Sequence, residues 1–238
     1  MTFSKKGMQY DWHINPGKKV VVFSNSLGTT LNMWDQDVEK LKEKFQILRF
    51  NYNAQKALSI VDLGDSVIDL MEELEIPSAI FCGISLGGLV GLWLALNRPD
   101  YFDKIIIANT SAKIGNEKKW QERIDLIEKE GLGIVSEQSP KRWFTNDFLQ
   151  RNPQVISKLV SEFSAITASD YIALVRVLMG TNLWDSLNKI KKQMIIIAGE
   201  FDETTTVSEA KKMHELIKGS HLIILPTSHL QQEDFVLM

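Results

Sequence analysis

Apolar residues along the chain fall into two alternating patterns. Short continuous runs such as Val20-Val21-Val22-Phe23 and Ile105-Ile106-Ile107 alternate with longer stretches in which apolar residues recur every three or four positions. The first pattern belongs to strands buried on both faces, the second to helices with one buried stripe. Strands are predicted over 20–23, 45–50, 79–82, 104–108, 194–198 and 221–225, with 8–14 as an extra edge strand. Helices are predicted over 31–44, with Leu31, Trp34, Val38 and Leu41 on one face, and over 60–74, where Ile60, Leu63, Val67, Leu70 and Leu74 form the stripe. Pro77 stops the latter, and two further helices fall at 86–96 and 207–218. Between about 111 and 185 no strand pattern occurs. The period there is helical over 118–130, 153–163 and 168–179, with a shorter turn near 140–144. The plan is βαβα, a helical insertion, then βαβ, which is the α/β class: a mostly parallel central sheet flanked by helices. The expected division is a core of residues 1–112 and 187–238, interrupted by a helical cap at 113–186.

Composition narrows this picture. With 238 residues, 44% of them hydrophobic, the chain can bury a sizeable core. A net charge of −3 gives no electrostatic reason to expect nucleic acid or an anionic membrane as partner. No apolar run is long enough to predict a transmembrane helix, and the first residues lack the apolar stretch of a signal peptide. Cys82 is the only cysteine, read as a small core residue, so an intrachain disulfide is excluded and a cytoplasmic location is expected.

The candidate chemistry starts at Gly83-Ile84-Ser85-Leu86-Gly87, a G-x-S-x-G pattern between a predicted buried strand and an apolar helix. A serine on that turn projects at the carboxyl edge of the sheet, above a helix N-terminus that favours a developing negative charge. The alternative is that the glycines only allow helix and strand to pack closely. A serine nucleophile needs a base, and the base an orienting acid. Of four histidines only His229, in the loop after the last predicted strand, falls at the same edge; His13, His214 and His221 do not. Asp202 follows the strand 194–198 at that edge, with Glu200 and Glu203 as competitors. The order Ser85, Asp202, His229 is that of α/β-hydrolases. The oxyanion hole is expected from the Leu86 N–H and, in the loop Ser24-Asn25-Ser26-Leu27-Gly28, the Leu27 N–H.

With these residues in place, the chain resembles the α/β-hydrolase superfamily over nearly its whole length, and within it the 3-oxoadipate enol-lactonases. SNSLGTTLNMWD (24–35) resembles their oxyanion loop, FCGISLGGLVGLWLA (81–95) their nucleophile turn and following helix, and IANTSAKIG (107–115) their exit from the sheet. Lys141-Arg142-Trp143-Phe144-Thr145 resembles a cap segment, and AGEFDETTTV and TSHL the acid and histidine turns. The resemblance implies hydrolysis of a small enol-lactone to a 3-oxo dicarboxylic acid in aromatic catabolism, with no cofactor and no metal. The alternatives are a general carboxylesterase, a cofactor-free haloperoxidase-like enzyme, or a non-catalytic member acting as a binding protein. The implied substrate carries a carboxylate, for which Arg142 is the candidate cation, the alternative being a surface arginine. Trp34 and Trp143 are candidate pocket residues, or else core and cap packing. Two departures carry expectations. Asn51-Tyr52-Asn53-Ala54-Gln55-Lys56 replaces the usual Asp-x-Arg-Gly type of turn and is several residues short, which puts pocket shape and stability in question. The chain also ends at EDFVLM soon after His229, so the usual final helix is nearly absent and some apolar sheet surface is expected to be exposed or covered by a partner.

Overall fold

The computed structural model describes residues 2–230. Its strands are β1 (Thr2–Phe3), β2 (Gln9–His13), β3 (Val20–Ser24), β4 (Gln46–Asn51), β5 (Ala79–Ile84), β6 (Phe102–Ala108), β7 (Met194–Gly199) and β8 (His221–Leu225). They form one sheet in the order β1-β2-β4-β3-β5-β6-β7-β8. All neighbours are parallel from β4 to β8; β2 runs antiparallel to β4, and β1 to β2. The central strands are those with continuous β-branched runs. Every residue of β3 is buried, as expected where helices cover both faces.

The helices of the core are α1 (Asp35–Leu41), α2 (Ile60–Glu73), α3 (Leu86–Asn97) and, after the insertion, α10 (Val207–Leu216). Their starts are written locally. The Ser59 hydroxyl accepts from the Asp62 N–H to cap α2, and Thr206 with Glu209 forms a reciprocal capping box on α10. The predicted helix over 31–44 is divided: Leu31–Trp34 is a 3-10 turn capped by Thr30, and only then does α1 begin. β1 extends the sheet beyond the predicted edge strand.

Between β6 and β7 the chain forms α4 (Glu117–Glu130), α5 (Leu132–Gln138), α6 (Pro140–Trp143), α7 (Asn146–Arg151), α8 (Pro153–Ser164) and α9 (Ala168–Gly180). Of these, α5 and α7 lie outside the predicted helices; each spans fewer than two turns, too few to show a repeating apolar stripe. The excursion leaves the sheet and returns to it at one place, where the Leu183 N–H donates to the Ala112 carbonyl at 2.8 Å. Among the described residues no single helix is long and apolar enough to cross a membrane. The terminal EDFVLM, on which the expectation of an uncovered sheet face rested, lies outside the described residues.

The short loop after β4 is integrated into the fold. Ala54–Lys56 forms a 3-10 turn that packs against α9. The Tyr52 hydroxyl pairs with Ser24 Oγ at 2.6 Å, and burial pushes its pKa well up.

Candidate active site

Ser85 stands between β5 and α3 with φ 53° and ψ −114°, a conformation rarely held by a residue with a side chain. Neighbouring strands hold it there. The Ser85 N–H donates to the Ala108 carbonyl at 3.0 Å, and the Thr110 hydroxyl to the Ser85 carbonyl at 2.7 Å. Two residues on, the Gly87 N–H donates to the Asn25 carbonyl. A Cβ on Gly87 would lie 2.2 Å from the Ser24 carbonyl oxygen, so that backbone approach requires glycine.

His229 reaches this serine from the loop after β8. Its Nε2 is 3.0 Å from Ser85 Oγ and its Nδ1 2.7 Å from Asp202 Oδ2. The tautomer that satisfies both contacts has Nδ1–H donating to the carboxylate and Nε2 accepting from the serine hydroxyl. Asp202 is itself caged. Its Oδ1 accepts from the Thr204 and Thr205 N–H groups, and its Oδ2 from the Thr205 hydroxyl at 2.7 Å. Burial pushes the Asp202 carboxyl up, but the hydrogen bonds from His229 and Thr205 together outweigh it and hold the pKa below the ordinary value. All three side chains are buried, whereas the competing Glu200 and Glu203 are exposed. The other histidines lie elsewhere: His13 pairs with Ile47 in the sheet, His214 bonds Ser220, and His221 opens β8.

One residue to which the sequence reading gave no role of its own joins the three loops. Asn109, directly after β6, has φ 45°. Its amide nitrogen donates to the Ser228 and His229 carbonyls at 3.0 and 2.7 Å, and its oxygen accepts from the Gly199 N–H at 2.7 Å. With Thr110 beside it holding the Ser85 carbonyl, the end of β6 fixes the loops of Ser85, Asp202 and His229 against one another.

Leu27 and Leu86 lie on two segments joined by the Gly87–Asn25 hydrogen bond, and neither N–H has an acceptor among the described residues. The loop that carries Leu27 is built on Asn25. The Asn25 amide nitrogen donates to the Phe50 carbonyl and to Asn51 Oδ1, and its oxygen accepts from Trp34 Nε1 at 2.8 Å. Asn51 Oδ1 also accepts from the Leu31 N–H at 2.7 Å. Asn51, at the end of β4, therefore supports the loop that carries Leu27.

Three residues expected to bind substrate are placed differently. Trp34 is a core residue, 1% exposed and stacked on Phe23, because its indole N–H finds its partner in Asn25. Trp143 is buried in a stack with Phe163. Arg142 is exposed and donates to Ser139 Oγ one turn back. None of the three lines the cavities beside the site. Those cavities flank the oxyanion loop. One, of about 190 Å³, is mostly apolar and lined by Met33, Phe144, Phe148, Leu159 and Leu230, with Lys158 at its rim. The other, of about 370 Å³, touches Ser26 and Leu86 and mixes apolar side chains such as Ile166 and Leu174 with amides, hydroxyls, Glu162 and Asp170. Among the described residues Lys158 is the only cation lining either cavity.

Comparison with known proteins agrees with this architecture. The family model described as serine aminopeptidase, S33 (Hydrolase_4) matches residues 56–226. 3-Oxoadipate enol-lactonase 2 of Acinetobacter baylyi is 36% identical over 220 residues, covering 90% of this chain and 82% of that protein. 3-Oxoadipate enol-lactonase 1 of the same organism is 31% identical over 226 residues, covering 91% and 85%. The crystal structure of the enol-lactonase from Burkholderia xenovorans superposes with a TM-score of 0.92 at 28% identity, over 96% of this chain and 91% of that one. The chain belongs to the Hydrolase_4 family of α/β-hydrolases and is a hydrolase acting on ester or lactone bonds.

Proposed function

We propose that this member of the α/β-hydrolase family is a serine enol-lactonase that opens 3-oxoadipate enol-lactone to the 3-oxo dicarboxylic acid, as a step in aromatic-compound breakdown. The observation that carries the chemistry is the continuous hydrogen-bonded line from Ser85 through His229 to Asp202. The choice of substrate is supported by the likeness to named enol-lactonases over most of the chain. Residues 113–186 serve as the cap over the site.

In this reading Ser85 Oγ attacks the lactone carbonyl as its proton passes to His229 Nε2. The tetrahedral oxyanion is held by the Leu27 and Leu86 N–H groups, assisted by the N-terminus of α3. Collapse breaks the ring C–O bond, and the enolate oxygen leaves with the proton from His229. The ring-opened chain remains esterified to Ser85. His229 then takes a proton from water as the water attacks the ester, and returns that proton to Ser85 Oγ as the C–O bond breaks; the released enol tautomerises to the 3-oxo acid. Asp202 keeps Nδ1 protonated and stabilises the imidazolium formed in each half. The substrate carboxylate is met by Lys158, in place of Arg142.

The test is direct turnover by the purified chain of the enol-lactone against a neutral aryl ester. A higher kcat/KM for the lactone is expected; the reverse order overturns the substrate assignment in favour of a general carboxylesterase.

A further inference from the structure

We propose that α8 is a positioning element of the oxyanion hole, with Glu162 and Phe163 setting the place of the Leu27 N–H. The inference rests on the reading of Ser85 as nucleophile, and not on which lactone or ester is cleaved. α8 buries one residue, Phe163, and buries it fully. Phe163 presses on the backbone next to Leu27. Gly28 has φ +79°, and a Cβ there would lie 2.7 Å from Phe163 Cζ. The preceding residue, Glu162, grips the same loop further along. Its carboxylate accepts from the Thr30 hydroxyl at 2.8 Å and from Asn32 Nδ2 at 3.1 Å. One turn earlier Lys158 bonds Asp35 at 2.9 Å, and Asp35 is held in turn by Arg49.

The other flank of the site is tied to the same helical stretch. Trp143 stacks on Phe163, and its carbonyl accepts from the Leu230 N–H at 3.0 Å, directly after His229. Segments on both sides of Ser85 therefore take contacts from the excursion between β6 and β7. The sheet ends fix Asn25 at the start of the oxyanion loop and hold Leu31 through Asn51 and Arg49, whereas Gly28, Thr30 and Asn32 take contacts from α8. Seating α8 over a bound small molecule thus completes the hole, and lifting it leaves the Leu27 N–H free to drift. A misplacement near 1 Å costs about a hundredfold in rate.

The experiment measures how fast Ser85 is labelled by a neutral fluorophosphonate, whose P=O oxygen needs the hole but whose reaction needs no particular acyl group. Glu162→Ala, Phe163→Leu and Thr30→Val are compared with the native chain, with the melting temperature of each. Labelling at least about tenfold slower in Glu162→Ala at unchanged melting temperature is expected. Thr30→Val should add little in the Glu162→Ala background, because the two act through one contact. Unchanged labelling in Glu162→Ala overturns the proposal, whatever happens to the melting temperature, and decides the matter even if Phe163→Leu fails to fold. A native chain that is labelled but does not open the enol-lactone removes the substrate reading and leaves this test intact. A native chain that is not labelled removes both.

Discussion

α3 and α8 are each twelve residues long and both bear on Ser85, yet they are buried in opposite ways. α3 has ten buried residues and stands beneath the nucleophile as part of the core. α8 has one, Phe163, and reaches the oxyanion loop from outside through that ring and a partly exposed carboxylate. A side chain held by the sheet and α3 moves only if the core moves. A side chain held by α8 moves at the cost of a few polar contacts and one aromatic face. The site is therefore fixed on the Ser85 side and adjustable on the side of residues 28–32.

The largest effect should come from the fixed side. Ser85→Ala removes the nucleophile, and kcat is expected to fall by about 10⁶-fold with no loss of melting temperature. Residual turnover close to native would take Ser85 out of the reaction. Asp202→Asn keeps the cage shape but gives Nδ1 of His229 no anion, and a loss of about 10⁴-fold in kcat is expected. A fall of less than tenfold would show that the histidine is oriented by other means, Asn109 foremost.

A third variant asks whether the core side is as well satisfied as it is well packed. Asp37 on α1 is 2% exposed, and one of its carboxylate oxygens has no partner among the described residues. Burial pushes its pKa up to about 7. Because the folded chain holds this proton more tightly than the unfolded one, stability falls as pH rises from near 4 to near 7 and stays low above that. The full penalty is about 4 kcal/mol, at roughly 1.4 kcal/mol for each tenfold difference in proton affinity between the folded and unfolded chain. Asp37→Asn should raise stability by up to that amount at pH 8 and by little at pH 4, read from denaturant midpoints at the two pH values. An equal gain at both would assign the effect to packing. The smallest effect belongs to the adjustable side. Lys158→Gln should raise KM for a carboxylate-bearing lactone by about tenfold, the worth of one charge-assisted contact, and leave a neutral ester unchanged. Arg142→Ala should alter neither. A rise in KM confined to Arg142→Ala would restore Arg142 as the anion's partner.

The same division explains what was legible in the sequence. Ser85, Asp202 and His229 each follow a strand within a few residues, so strand pattern and turn chemistry together point to one edge of the sheet. The strands themselves are legible because their apolar runs are continuous. The indole of Trp34 is not: a helical stripe says that it is buried, but not that its N–H closes on Asn25. α5 and α7 escape the pattern because six or seven residues do not complete two turns, and Gly131 and Gly133 weaken the helical signal at the first. The short loop after β4 put the pocket's shape in question, yet Asn51 replaces the expected acid with an amide that both donates and accepts. Glu162 carries no signal, since its partners Thr30 and Asn32 lie 130 or more residues away in sequence.

The hydrogen bond between Leu183 and Ala112 has an evolutionary consequence. An excursion of about seventy residues whose two ends meet at one bond behaves as an interchangeable module. Its replacement requires no change in strand order, and Asn109 and Thr110 stand outside it, so the nucleophile, acid and histidine loops keep their mutual ties. Whatever is exchanged there alters which molecules are admitted without rebuilding the means of attack. A new segment inherits a short set of obligations: a ring on Gly28, a carboxylate for Thr30 and Asn32, and a carbonyl for the Leu230 N–H. Diversification of substrate range in such a chain is thus constrained at these few contacts, more than along the exposed length of the insertion.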